Sequence, residues 1–341
     1  MRYKEFRIPL PLTVDEYKIG QQWTELQILR ETWISCQNCV TFIDEPKKEY
    51  EISASVHRPL KGIHTHKKYN LTNQTPKFLD LISSKSSGNG IELDECSWYD
   101  YPYTLTIIKN EEHRITITIQ SVYLQDSGTT DNPFHLTKDQ LDKRTIEIIN
   151  IASKVNDDYK KEEDPLLCQS KKIERNPFSK SWWESLTSNH QHNQAEKHSS
   201  QLDDVPIMCC YKLVEISTDE KSKLKAFIAN TVSSSLIFNA QKEIYHRFHQ
   251  KLFCNIDNWY ELSLITIHED EERLKRQIKS INIDKEKSMP QEYAQKHRKE
   301  GELMDEEKKH PSKAARLVTL MGVLKPQSES AAWPNCTKKN I

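Results

Sequence analysis

The residues whose types and spacing could do chemistry gather in Ile63–Leu71, which reads Ile-His-Thr-His-Lys-Lys-Tyr-Asn-Leu. Strand alternation puts Ile63, Thr65, Lys67, Tyr69 and Leu71 on one face and His64, His66, Lys68 and Asn70 on the other. The second set reads as a solvent face. The first is mainly apolar and is predicted to point at the core, yet it holds a lysine. An unpaired ammonium inside a protein is costly, so Lys67 must snorkel out, pair with a carboxylate of the chain, or meet a bound anion. The pattern alone favours the first two outlets. Two other runs repeat the theme: the row Ile115, Ile117, Ile119 ends in Ser121, and Thr104, Thr106 and Ile108 share a face. Hydroxyls scattered in strands are usually structural. Converging on an apolar interior, they would instead describe a site for an amphiphile, a greasy chamber with one wet end.

Other chemistries find little support. The chain has no G-x-S-x-G, H-E-x-x-H or P-loop spacing, and only 7 glycines with which to build phosphate-cradling loops. Cys36-x-x-Cys39 is a lone pair where zinc normally takes two such pairs, so no metal is expected. A net charge of -1 over 341 residues carries no nucleic-acid signal.

The elements that must position these residues are strands and one long helix. Ser217 and Glu220 form a capping-box pattern, and apolar residues then recur at helical spacing from Leu224 to Trp259, which predicts a single helix over Ser217–Leu262. Thr13 and Glu16 form a second box, opening a helix with Val14, Tyr17, Trp23, Leu26 and Leu29. Strands are expected at Arg2–Leu12, Val40–Ile43, Tyr50–Val56, Ile63–Leu71, Tyr103–Ile108, His113–Tyr123, Thr145–Ala152 and Pro206–Ile216, with a capped helix from Leu136 and a last helix over Ile267–Ile281. The fold class is α+β, a broad antiparallel sheet crossed by a long helix. The stretch 157–204 is polar and irregular and holds the pair Trp182-Trp183. Residues 1–280 read as the folded unit. Residues 281–341 read as a charged, disordered tail that could take a protein partner. Without a leader-like N-terminus or a run of about 20 apolar residues, the expectation is a soluble, cytoplasmic protein whose 8 cysteines stay reduced.

Several segments, in order, resemble the phosphatidylinositol transfer proteins. They are Leu12-Thr13-Val14-Asp15-Glu16-Tyr17-Lys18-Ile19-Gly20-Gln21, His64-Thr65-His66-Lys67-Lys68-Tyr69-Asn70-Leu71, Trp98 with Tyr101-Pro102-Tyr103, and Glu162-Glu163-Asp164-Pro165. Cys210-Tyr211-Lys212-Leu213-Val214 and Phe248-His249-Gln250-Lys251-Leu252-Phe253-Cys254 complete the set, which spans roughly Lys4 to Gln277. The resemblance implies a START-like helix-grip fold: a curved antiparallel sheet gripped by long helices around one phospholipid. It implies a carrier without catalysis or cofactor, the phospholipid being cargo, that takes phosphatidylinositol or phosphatidylcholine and meets membrane surfaces transiently.

The resemblance also assigns headgroup contacts. Thr65 and Lys67 match a threonine and a lysine, Gln21 a glutamine, Glu95 the glutamate before the tryptophan, Thr106 and Ser121 two hydroxyl positions, and Glu271 a glutamate on the last helix. On this reading the anion met by Lys67 is the lipid headgroup. Tyr99 stands where the family has Asn. The family's membrane-inserting Trp-Trp pair is missing from Glu215–Lys221. Trp182 and Trp183 either replace it as a docking pair, or one of them packs inside. Ser170 matches a phosphorylated serine, in an altered basic context. The competing reading is a sensor or adaptor that presents phosphatidylinositol to lipid kinases or recruits partners through its tail.

Overall fold

β8 (Met208–Thr218) is buried along both faces, as befits a strand placed mid-sheet, and it is the spine on which the other strands assemble. The computed structural model describes residues 2–36, 39–43, 62–70, 92–111, 114–154, 159–173, 179–188, 205–219 and 231–288. The strands are β1 (Arg2–Leu10), β2 (Val40–Phe42), β3 (Ile63–Asn70), β4 (Glu92–Asp100), β5 (Tyr103–Asn110), β6 (Ile115–Leu124), β7 (Arg144–Ile148) and β8. They form one 8-stranded sheet in the order β2-β3-β4-β5-β6-β8-β1-β7. Each neighbouring pair is antiparallel except β1 and β7, which run parallel, so the expected all-antiparallel sheet is mixed at one edge. A buried triad ties that edge: the Glu5 carboxylate accepts from Arg7 Nε at 2.7 Å and from an Arg144 guanidinium nitrogen at 2.7 Å.

The helices are α1 (Val14–Ser35), α2 (Lys138–Leu141), α3 (Lys180–Ser188), α4 (Thr231–Cys254), α5 (Ile256–Trp259) and α6 (Leu264–Ser288). The class is α+β and START-like, as expected. The helix predicted over Ser217–Leu262 is corrected at both ends. Ser217 and Thr218 pair with Thr116 and Ile115 of β6, so the strand runs through the expected helix start; 220–230 lie outside the described residues. At the far end Asn255 leaves helical geometry (φ -104°, ψ 20°) and its side-chain amide donates to the Lys251 carbonyl at 2.8 Å, separating α4 from α5. Nor is this helix alone in its length, since α1 has 22 residues and α6 has 25. α6 starts earlier than expected because Ser263 Oγ caps it, accepting from Thr266 N at 3.1 Å. It also runs past residue 280 to Ser288. The strand expected at Tyr50–Val56 and the tail beyond Ser288 lie outside the described residues.

Three contacts fasten α1 to the C-terminal helices. Gly20 permits the closest: a Cβ there would stand 2.9 Å from the indole of Trp259, which is fully buried. Lys251 of α4 donates to both carboxylate oxygens of Glu31. Tyr17 donates to His249 Nε2 at 3.0 Å, while His249 Nδ1 donates to the Tyr245 carbonyl at 2.6 Å. Among the described residues no helix is long and apolar enough to cross a membrane. Cys36 lies against Cys39 and Cys168 against Cys254, with Cα atoms 5.4 and 5.5 Å apart, a spacing at which each pair can be bridged.

Two outcomes follow from this packing. Gly20→Ala forces a methyl into the Trp259 ring and should cost about 1–3 kcal/mol in urea unfolding; an unshifted midpoint would show that the helices can separate freely. Burial, and then the charge of Lys212, depresses the His249 pKa to about 3, against about 6.5 when unfolded. The unfolded chain therefore binds a proton that the fold refuses between these values. This share of stability is complete above about pH 6.5 and is lost as pH falls towards 3, so His249→Gln should flatten the slope of unfolding free energy over that interval.

Candidate functional site

Strand alternation and helical periodicity bring polar side chains to one place. From β3 come Thr65, Lys67 and Tyr69; from β4, Glu95, Ser97 and Tyr99; from β5, Thr104 and Thr106; from β6, Ser121; from β8, Lys212. Register makes them neighbours: Lys67 lies opposite Glu95, Ser97 opposite Thr106, Thr104 opposite Ser121, and Ser121 opposite Lys212. Across from the sheet, α1 contributes Gln21, Glu25, Ile28, Leu29 and Thr32, at the three-and-four spacing of one helical face. α4 adds Ile244, Tyr245 and Phe248.

Between these elements lies a hollow of about 870 Å³, its open mouth included. Beside it, with Glu25, Leu29, Lys67 and Tyr99 as shared lining, lies a second lobe of about 460 Å³, whose walls include Gln22, Thr65, His268 and Glu271. Every headgroup residue expected from the sequence lines one lobe or the other: Gln21, Glu95, Thr106 and Ser121 the first, Thr65 and Glu271 the second, Lys67 and Tyr99 both. Ile28, Leu29, Val40, Ile119, Ile244 and Phe248 supply apolar wall between the polar groups.

The charges answer one another around the walls. Lys67 Nζ is 3.6 Å from Glu95 Oε1, an ion pair longer than a hydrogen bond. Burial works against its charge, but Tyr69, Glu95, Glu25 and Glu271 together hold the Lys67 pKa above the ordinary lysine value. The chain thus supplies anions for this lysine, and the hollow beside it stays open. Burial would also raise Glu271, yet His268 at 3.6 Å, Lys275 at 3.2 Å and Lys67 pull its pKa down to about 2. Burial raises Glu25, with Lys67 opposing. Lys212 donates to Ser121 Oγ at 3.2 Å and stands 5.1 Å above the Tyr245 ring.

Pattern reasoning from the residues missed Lys212 and Glu25. Lys212 occupies an inward place in a strand otherwise apolar, the signal that had singled out Lys67; Glu25 follows Gln21 by one helical turn. On the outer face of β3 and β4, His66, Asp94 and Cys96 hold ligand atoms within 4.8 Å of one another. His66 Nε2 already pairs with Asp94 at 2.9 Å, and the trio lies on the sheet face away from the hollow. That face is less open to solvent than expected, because His66 is buried and the His64 ring lies tilted against Trp98 with centroids 4.7 Å apart.

A wall of this kind, with charged and hydroxyl groups set among apolar side chains, suits an amphiphile. The family described as Phosphatidylinositol transfer protein matches residues 1–276. The chain belongs to the phosphatidylinositol transfer protein family. It is 28% identical over 292 residues to phosphatidylinositol transfer protein 1 of Dictyostelium discoideum, covering 84% of this chain and 98% of that one. It is 31% identical over 285 residues to the phosphatidylinositol transfer protein beta isoform of Bos taurus, covering 82% and 93%. With membrane-associated phosphatidylinositol transfer protein 2 of Homo sapiens it shares 29% over 299 residues, 84% of this chain and 20% of that one.

The departures from the phosphatidylinositol transfer protein pattern have definite places. Tyr99 is not merely a bulkier Asn, since its hydroxyl donates to Glu25 Oε2 at 3.0 Å. Trp183 is fully buried, edge-on to Phe253 at 5.6 Å, so it is no membrane anchor; the amphipathic turn of α3 turns it into the core. Trp182 is half-buried and lies 5.0 Å from Trp183. The two indoles do not form an exposed pair. The Ser170 hydroxyl donates to the Asp257 carboxylate and accepts from Ile173 N at 3.0 Å, so a phosphate there would face a carboxylate. Trp183→Ala should cost about 3–5 kcal/mol in urea unfolding, and a wild-type midpoint would contradict its place in the core.

Proposed function

We propose that this chain sheathes one phosphatidylinositol or phosphatidylcholine molecule in the hollow between α1, α4 and the sheet, and exchanges it between membranes. It acts as a carrier without catalysis, working from the cytoplasm and touching the bilayer transiently. One observation carries the reading. Three polar atoms in the hollow's walls, Thr65 Oγ1, Gln22 Oε1 and the Tyr245 hydroxyl, are buried without a hydrogen-bond partner among the described residues. Buried polar atoms are nearly always satisfied, so such a group of them suits a polar ligand.

The energetics suit a phospholipid. Lifting one from a bilayer exposes its acyl chains at about 0.8 kcal/mol per CH₂. Ile28, Leu29, Ile119, Ile244 and Phe248 offer the apolar wall that offsets this. Lys212 suits the phosphate, while Lys67, Thr65, Gln21, Glu95, Thr106 and Glu271 suit the hydroxyls of an inositol ring. The family membership and the relatives' names support phosphatidylinositol as a cargo.

In vesicle-to-vesicle transfer assays, Lys67→Ala and Thr65→Glu should each lower phosphatidylinositol transfer at least about tenfold, the effect of one lost charge-assisted contact or more. Phosphatidylcholine transfer should remain largely intact, because choline has no ring hydroxyls to lose. Equal loss of both lipids would remove these residues from headgroup selection.

A further inference from the structure

Glu25 stands on α1 where the two lobes meet. Gln21 Nε2 donates to its Oε1 at 2.8 Å and the Tyr99 hydroxyl to its Oε2 at 3.0 Å. Gln21 is oriented in turn by the Tyr101 hydroxyl, which donates to its side-chain carbonyl. Both donors to Glu25 are neutral, and among the described residues its carboxylate is in no ion pair. Lys67 lies near enough for its charge and that of Glu25 to favour one another, while the carboxylate, aimed by its two donors, keeps acceptor capacity on each oxygen. Tyr99 lies against it, and the same lobe is also lined by Tyr69, Tyr245 and Phe248.

A third carboxylate in a hollow that already has Glu95 and Glu271 is poorly explained by a headgroup bearing only hydroxyls and negative charge. Glu95 and Glu271 are enough to accept from ring hydroxyls, and a further anion finds no positive group on an inositol headgroup to meet. A quaternary ammonium fits better. It cannot hydrogen-bond, and it is held by a carboxylate together with aromatic faces. Phosphocholine joins such a cation to a phosphate, matching Lys212 with Ser121 for one charge and Glu25 with the rings for the other.

Resting on the carrier reading above, we propose that Glu25, presented by Gln21 and Tyr99, is a specificity-determining residue that turns this hollow towards phosphatidylcholine and away from phosphatidylinositol.

The full chain is incubated with vesicles holding equal amounts of the two lipids and re-isolated, and its bound lipid is weighed by mass spectrometry. Glu25→Gln, which keeps the shape and removes the charge, should lower the bound phosphatidylcholine-to-phosphatidylinositol ratio about tenfold relative to wild type, as expected for one charged contact. Tyr99→Phe, which removes a donor that aims the carboxylate, should lower it by a smaller factor. The ratio is read within each sample, so partial unfolding of one variant does not alter it. An unchanged or raised ratio in both variants overturns the proposal and leaves the carrier reading standing; a raised ratio would assign Glu25 to the inositol ring. Wild-type protein that retains no phospholipid overturns the carrier reading and this proposal together.

Discussion

Lys67 enters a space that the surrounding helices and strands do not fill, and an ammonium so placed needs anions at close range. Register supplies the first: Glu95 is the residue directly opposite on β4, so every twist of the sheet moves the two together. Glu271 and Glu25 come from α6 and α1, and those helices must be seated correctly for their charges to count. This couples the electrostatics of the hollow to the packing of its roof. A helix that lifts away takes a counter-charge with it, which makes the closed arrangement of sheet, α1 and α6 the low-energy one.

The roof is held accordingly. Gly20 lets α1 touch the Trp259 indole, the His249 ring bridges Tyr17 and the Tyr245 carbonyl, and Glu31 receives Lys251. α6 lies against α1 and β2, with Lys275 reaching both Glu271 and the face of the Phe42 ring at 5.3 Å. None of these contacts fills the hollow. They surround it, so rigidity and emptiness coexist: the interior that would ordinarily be close-packed is replaced by walls whose stability comes from their own outer packing. Trp183 and Phe253 belong to that outer packing, which is why an aromatic pair that looks suited to a membrane is spent in the core instead.

Much of this was legible in the chain itself. Two-residue alternation put Lys67, Thr65, Thr106 and Ser121 on inward faces, Thr13 and Glu16 announced α1, and the ordered family-like segments pointed to the fold and to Gln21, Glu95 and Glu271. Those features are local or nearly so, and each rests on a short-range rule of geometry. Where local rules competed with distant ones they failed: Ser217, read as a helix cap, lies in the ladder with β6, and Asn255 broke a helix whose apolar spacing continued across it. What the sequence determined alone was which faces are polar and which are greasy. Which polar faces meet was decided by strand register and helix seating. Lys67 has Glu95, Glu25 is aimed by Tyr99, and the Trp182-Trp183 pair is divided between core and rim because distances across the fold are set by packing among residues far apart in the chain.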